Sequence, residues 1–236
     1  MVPWPGRIDG GRFVFEGRQY HVPSDTPRAH ALHGRAVYQA WRIDEIADAR
    51  CRLSVEFDNG WPFGGAAGQE IIVRDHAIEM RLEVRSTRGH RFPAGSGWHP
   101  WFRRDVVRGK DARVLIDADH VYEADDMIPT GWLKPVIGDT DLRSFPTIGN
   151  RRLDVCYRGP RSIAIAWGDL TLRMRSSPNV GHAVVHTPER AICIEPQTCA
   201  PDACNLHAQG IDGCGMTVVT PRRPLIATTT WSWSTT

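Results

Sequence analysis

Two residues able to move protons stand in unusual settings along this chain. The run Ala191-Ile192-Cys193-Ile194-Glu195-Pro196 reads as a buried strand carrying a carboxylate, and a Glu is seldom placed in such a run without a partner or a chemical task. Period-2 alternation sets Ala191, Cys193 and Glu195 on one face and Ile192 and Ile194 on the other. Pro196 cannot donate to a ladder, so pairing is expected to weaken there and to leave Glu195 at a strand end. His99 lies in Gly95-Ser96-Gly97-Trp98-His99-Pro100-Trp101-Phe102. There the following proline holds it extended, and three aromatic rings can wall off water. His33, in Ala31-Leu32-His33-Gly34, is a third candidate, because the glycine permits a close turn. Each of the three also fits a structural role: a carboxylate paired with an Arg or with backbone N–H groups, or a histidine donating to a carbonyl.

A Glu and a His in partly desolvated settings can divide acid and base work. Burial raises the carboxyl pKa, while a neighbouring carboxylate favours the protonated imidazole. Such a pair transfers protons at neutral pH without a cofactor. The sequence holds no G-x-S-x-G elbow, no H-E-x-x-H, no phosphate loop opening a helix and no dinucleotide fingerprint. Cys193, Cys199 and Cys204 with nearby His207 invite a metal site, but the six cysteines lack the paired C-x-x-C spacing of zinc centres and are expected to be reduced thiols. Trp4, Trp61, Trp98 and Trp101 fall beside Pro or Gly, where rings can line a cleft for the C–H faces of a sugar or fill the core.

The elements that must position these groups are strands. Arg12 to Phe15 and Gln19 to Val22 flank a Glu16-Gly17-Arg18 turn. Period-2 segments follow at 51–57, 71–74, 77–84, 114–116, 162–167, 170–174, 183–186, 191–195 and 225–233. Short connections such as Gly168-Asp169 suit antiparallel neighbours, and no amphipathic helices separate the strands. The reading is an all-β chain, a large antiparallel β-sandwich, with residues 1–236 as one domain. Gly64-Gly65-Ala66-Ala67-Gly68 is expected to be a flexible loop. The formal net charge of +2 is scattered rather than blocked, which argues against nucleic acid or a membrane surface and for a small-molecule partner. No apolar run approaches the ~18 residues of a membrane span, and the start MVPWPGRIDGG lacks a secretory h-region, so a soluble cytoplasmic protein is expected.

Taken in order, several pieces together resemble the aldose 1-epimerase (galactose mutarotase) family. They are Val2-Pro3-Trp4-Pro5-Gly6-Arg7-Ile8, Leu32-His33-Gly34, Gly97-Trp98-His99-Pro100-Trp101-Phe102, Leu153-Asp154, Val185-His186-Thr187-Pro188 and Cys193-Ile194-Glu195-Pro196-Gln197-Thr198 with Pro201-Asp202-Ala203. Within that family the chain resembles the bacterial branch with a V-P-W-P-N-R-I motif. The resemblance implies a sandwich whose open cleft binds a monosaccharide, with no metal or organic cofactor, acting as a monomer or homodimer. It makes Glu195 the general base, His99 the general acid, and Arg7, His33 and Asp154 the residues that hold sugar hydroxyls. The implied reaction interconverts the α and β anomers of a free hexose.

Two departures stand out. Gly6 replaces the usual Asn, and Met1 falls just before a motif that relatives reach after several strands, so the first strands are expected to be missing and a sheet edge exposed. Two alternatives remain at this level. One is a sugar-binding or regulatory member without turnover. The other is a hexose 6-phosphate epimerase, which needs an Arg or Lys cluster at the cleft, where Arg103 and Arg104 are expected to lie on an exposed rim.

Overall fold

Alternating apolar residues build two stacked antiparallel sheets in this computed structural model, which describes residues 1–24 and 30–236. The larger sheet has eight strands in the order Arg113–Ile116, Ile163–Trp167, Leu170–Ser176, Leu225–Thr235, Ala77–Arg85, Ala66–Arg74, Arg50–Glu56 and Arg42–Ala47. The smaller has six, in the order Trp101–Arg103, Ala191–Gln197, His182–His186, Asp154–Arg158, His120–Asp125 and Ile128–Pro135. A short helix, Ala203–Ala208, and two-stranded ladders complete the fold. No helix among the described residues is long and apolar enough to cross a membrane.

The eight-stranded sheet is a floor with two covers. Over one half lies the six-stranded sheet, and between them Val114, Ile116, Ile163, Ile165 and Trp167 meet Tyr157, Ala183, Val185, Ile192 and Ile194. Ile192 and Ile194 are fully buried, each contributing roughly 1.5–3 kcal/mol of burial. Over the other half, the N-terminal segments and the small ladders pack Trp4, Phe13, Trp61, Phe63 and Phe92 against Leu82, Val84 and Leu225. Trp4, Trp61 and Trp98 are therefore core residues, and only Trp101 of the four candidate cleft rings is exposed. Arg42–Ala47 forms one edge of the large sheet, with Ile43 and Ile46 on the surface. A register shift between Ile43 and Glu45 puts these two residues, three apart, on one face.

The expected hairpin is present as Arg12–Phe15 and Arg18–His21, closed by Glu16 and Gly17 at positive φ, the backbone of a two-residue primed turn. Two local expectations are corrected. Ala66 to Gly68 are not loop: they open the strand Ala66–Arg74, because two buried alanines fit under the sheet while Gly64 and Gly65 make the turn at positive φ. Pairing at Pro196 weakens on one edge of the strand only, since toward His182–His186 Pro196 stands opposite Ala183 and Gln197 opposite His182. Its carbonyl accepts from the Trp98 N–H on the other edge, so its missing donor faces the gap between the Gly97–Gln197 bridge and the Trp101–Cys193 pair. A proline there costs no ladder bond.

The turn that carries His33 requires glycine next to it. Both His33 and Gly34 have positive φ, and a Cβ on Gly34 would lie 2.0 Å from the Val2 carbonyl oxygen. Gly34→Ala is therefore expected to lose on the order of 1–3 kcal/mol from backbone strain alone, with more from the collision, read as a lower urea midpoint. A midpoint equal to the parent's refutes this account of the turn.

Candidate active site

Register across the small sheet assembles the site. Asp154 pairs with His186, His186 with Cys193, and Cys193 with Trp101, so the four side chains form one rung across four strands on the face turned away from Ile192 and Ile194. The next rung on that face carries Cys156, Val184 and Glu195. Part of this outer face is covered by Ala200, Ala203, Leu206, Cys214 and their neighbours. The uncovered part is a cavity of about 400 Å³ lined by Arg7, His33, His99, Trp101, Tyr122, Met127, Asp154, His186 and Glu195 among others. A larger hollow of about 590 Å³, with a separate set of lining residues, lies beside Arg161, Arg173 and Arg175. Among the described residues its lining holds no Asp, Glu or His, whereas the smaller cavity gathers several.

All five residues singled out from the sequence, Glu195, His99, Arg7, His33 and Asp154, thus line one cavity. Glu195 is 4% exposed. Its Oε1 lies 3.3 Å from His99 Nε2 and 3.5 Å from Cys193 Sγ, and its Oε2 accepts from Gln197 Nε2 at 2.8 Å. The opposite ring nitrogen of His99, Nδ1, is 3.0 Å from Cys193 Sγ. The imidazole stacks on Trp101, with centroids 5.5 Å apart and planes at 21°, and meets His33 edge to face.

The adjoining wall is a two-stranded ladder in which Arg7 pairs with Leu32, and His33 N–H donates to Gly6 O at 2.8 Å. Asp202 secures it: its N–H donates to Arg7 O, and its Oδ1 accepts from Asp9 N–H and Asn205 Nδ2. At Gly6, φ is +65° and a Cβ would lie 2.8 Å from Pro201 Cβ. The glycine therefore lets Pro201 close onto the ladder.

Burial dominates the electrostatics. It raises Glu195 to about 7, with the Cys193 and Gln197 hydrogen bonds acting in the opposite direction. It lowers His99 below its ordinary value, so the neighbouring carboxylate does not hold this imidazole charged as the sequence suggested. His33 is pushed down to about 3 by burial and then by His99, which leaves it neutral at physiological pH. The Cys193 thiol is pushed far up by burial and Glu195 and stays protonated.

The cysteines singled out from the sequence are free thiols and are not gathered around one point. Cys193 lies beside the cavity, while Cys199 and Cys204 pack in hydrophobic clusters on the other side of the site wall and His207 is exposed. Among the described residues only His33, His99 and Glu195 bring three ligand atoms together, within 4.8 Å of one another. Of the rings around His99, only Trp101 faces the cavity, as Trp98 and Phe102 turn into the cores.

Sequence reading missed Tyr122 and Met127, and gave His186 no role. Met127 sits at the tip of the hairpin His120–Asp125/Ile128–Pro135, where Asp126 and Met127 both take positive φ. An Asp-Met tip lacks the glycine that usually announces such a turn. His186 was readable, since it lies on a predicted strand two residues from Val184.

The family model described as aldose 1-epimerase matches residues 1–216. YihR of Escherichia coli (strain K12) is 21% identical over 224 residues, covering 90% of this chain and 72% of YihR. A candidate aldose 1-epimerase of known structure from Escherichia coli K12 superposes with a TM-score of 0.87 at 19% identity, covering 100% of this chain and 82% of that one. A galactose mutarotase-like protein from Clostridium acetobutylicum gives 0.85 at 16%, covering 98% and 78%. These structures share the galactose mutarotase-like fold found here.

The raised pKa of Glu195 has a stability consequence. Above about pH 4.5 the unfolded chain ionises this group freely while the folded chain resists until about 7. Its contribution to stability therefore falls as pH rises through that window and is level above it. Glu195→Gln is expected to be more stable than the parent at about pH 8, by on the order of 3 kcal/mol at most, with the gain vanishing near pH 4. Equal melting temperatures at the higher pH would contradict this.

Proposed function

The chain belongs to the aldose 1-epimerase family, and from that premise we propose that it interconverts the α and β anomers of a free hexose such as glucose or galactose. The observation that carries the reading is the buried Glu195 set 3.3 Å from His99 at one cavity wall. The Glu195 carboxylate takes the proton of the C1 hydroxyl while protonated His99 gives its proton to the ring oxygen, and the C1–O bond to the ring breaks. Rotation about C1–C2 turns the aldehyde. The C5 hydroxyl then adds to C1, returning its proton to His99, while Glu195 protonates the former carbonyl oxygen. Protons and electron pairs balance over the cycle, and no cofactor is consumed.

In this reading Arg7, His33 and Asp154 hold sugar hydroxyls, charge-assisted at Arg7 and Asp154, and the exposed ring of Trp101 offers an apolar face to the sugar's C–H groups. Arg7 is the one Lys or Arg that lines the cavity among the described residues. Arg104 spends its guanidinium on the carbonyls of Pro188, Gly149 and Thr187. Both facts favour a neutral sugar over a hexose 6-phosphate.

General acid and general base catalysis each contribute about 10²- to 10⁴-fold. Glu195→Gln and His99→Ala are each expected to slow the decay of optical rotation of fresh α-glucose by at least about 100-fold with an unchanged circular dichroism spectrum. Full activity in both sinks the proposal, and saturable glucose binding by calorimetry without turnover in the parent favours a sugar-binding protein instead.

The pair needs one proton between its two groups. It has two at low pH, so the base is lost, and none at high pH, so the acid is lost. The kcat/KM profile is expected to be bell-shaped, with apparent pKa values belonging to the pair and set by burial that raises Glu195 and lowers His99. A profile flat from about pH 5 to 9 rules out this proton division.

A further inference from the structure

His186 faces the cavity but has no part in the proton transfers. It stands on the Asp154–His186–Cys193–Trp101 rung, two residues along its strand from Val184, which is opposite Glu195. Its Nδ1 is buried without a hydrogen-bond partner, 3.6 Å from Asp154 Oδ2. That separation is too long for a hydrogen bond but keeps the carboxylate on the Nδ1 side of the ring. Trp101 closes another side, edge to face at 5.8 Å and 87°. The side chain is 39% exposed, and among the described residues Nε2 has no protein partner.

From this geometry we infer that His186 is a sugar-binding residue, with Nε2 hydrogen-bonded to a ring hydroxyl and Asp154 orienting the imidazole from behind. The inference rests on the epimerase reading of the same cavity. Glu195 and His186 are diagonal neighbours on paired strands, roughly 7–8 Å apart, a span that one pyranose ring with its hydroxyls bridges. With C1 at Glu195, the hydroxyl at His186 therefore belongs to the part of the ring remote from the anomeric carbon. Such a contact acts in the bound sugar and in the transition state alike, so it sets which sugar is held rather than how fast the ring opens. Asp154 then has two tasks, keeping its charge on the Nδ1 side of His186 through Oδ2 and leaving Oδ1 for a neighbouring hydroxyl. A carboxylate and an imidazole side by side select for a hydroxyl in one configuration, because a sugar without it leaves both groups unpaired.

The test is polarimetric kinetics of the parent, His186→Ala and His186→Asn with D-glucose and its monodeoxy analogues. For His186→Ala, KM is expected to rise about tenfold, the worth of one hydrogen bond to a neutral partner, with kcat within about threefold of the parent. The asparagine variant, which keeps a hydrogen-bonding group, is expected to recover part of the loss. The parent should discriminate against one deoxy analogue more than the alanine variant does. An unchanged KM in His186→Ala, or a loss borne equally by every analogue, overturns the assignment while leaving the epimerase reading in place. A parent that neither binds nor turns over these hexoses overturns both.

Discussion

Everything at the site depends on one carboxylate held in a strand whose other face is core. Ile192 and Ile194 are fully buried between the sheets, and their burial fixes the register of Ala191–Gln197. A slip by one residue would carry Glu195 into the hydrocarbon core and two isoleucines into the cavity. The packing energy of the sandwich therefore sets the position of Glu195. The same register places Cys193 and Gln197 on either side of it, and their hydrogen bonds fix the direction of the carboxylate oxygens. Side chains locked by neighbours on a rigid strand hold a reacting geometry better than side chains on a loop.

His99 reaches the pair by a different route. Between Gly97 and Trp101 the edge of the strand Ala191–Gln197 lacks a regular partner, and this is where Pro196 has no N–H to leave unsatisfied. The chain uses that gap to carry His99-Pro100 across the end of the ladder, and the stacked Trp101 ring holds the imidazole over Glu195. The adjoining wall, which presents Arg7 and His33, is not part of either large sheet. It is a separate short ladder, tied down through the buried Asp202 and the close packing of Pro201 on Gly6. The cavity is thus closed by elements from three parts of the chain.

The strands bearing the strongest apolar alternation, such as Ala77–Arg85 and Leu225–Thr235, were legible because each buries one face. Those on the rim of the small sheet were not. His120–Asp125 and Ile128–Pro135 carry polar and charged residues among few buried ones, and Asp126-Met127 gives no glycine signal. Alternation located Glu195, and the glycine after it located the turn of His33, but nothing local showed that these residues meet. That came from ordered motifs over most of the chain, which is a resemblance rather than a physical derivation. Trp4, Trp61 and Trp98 show the opposite error: a neighbouring Pro or Gly suggested a cleft, yet large rings beside tight turns also fill the space those turns leave. The direction of the His99 shift was equally hidden, because the resemblance pairs His99 with a carboxylate but does not show how much water is lost.

That last point bears on the proposed chemistry. Burial raises Glu195 and lowers His99, so the cavity prefers the pair with its single proton on the carboxylate and both groups neutral. In the proposed cycle this is the state reached when the sugar ring opens, after Glu195 has taken the C1 proton and His99 has given its own away. The closed-ring complex must instead hold carboxylate and imidazolium together, with sugar hydroxyls, Gln197 and the 3.3 Å approach of the pair as the stabilising contacts. Desolvation thus disfavours the charged starting arrangement and favours the neutral one beside the aldehyde, which draws both proton transfers in the direction of ring opening. Reclosure runs against this preference and regenerates the charged pair, so the proposed cycle calls for a cavity that is only moderately dry. A site that excluded water completely would trap the open-chain sugar, and one as wet as bulk solvent would give the pair no driving force at all.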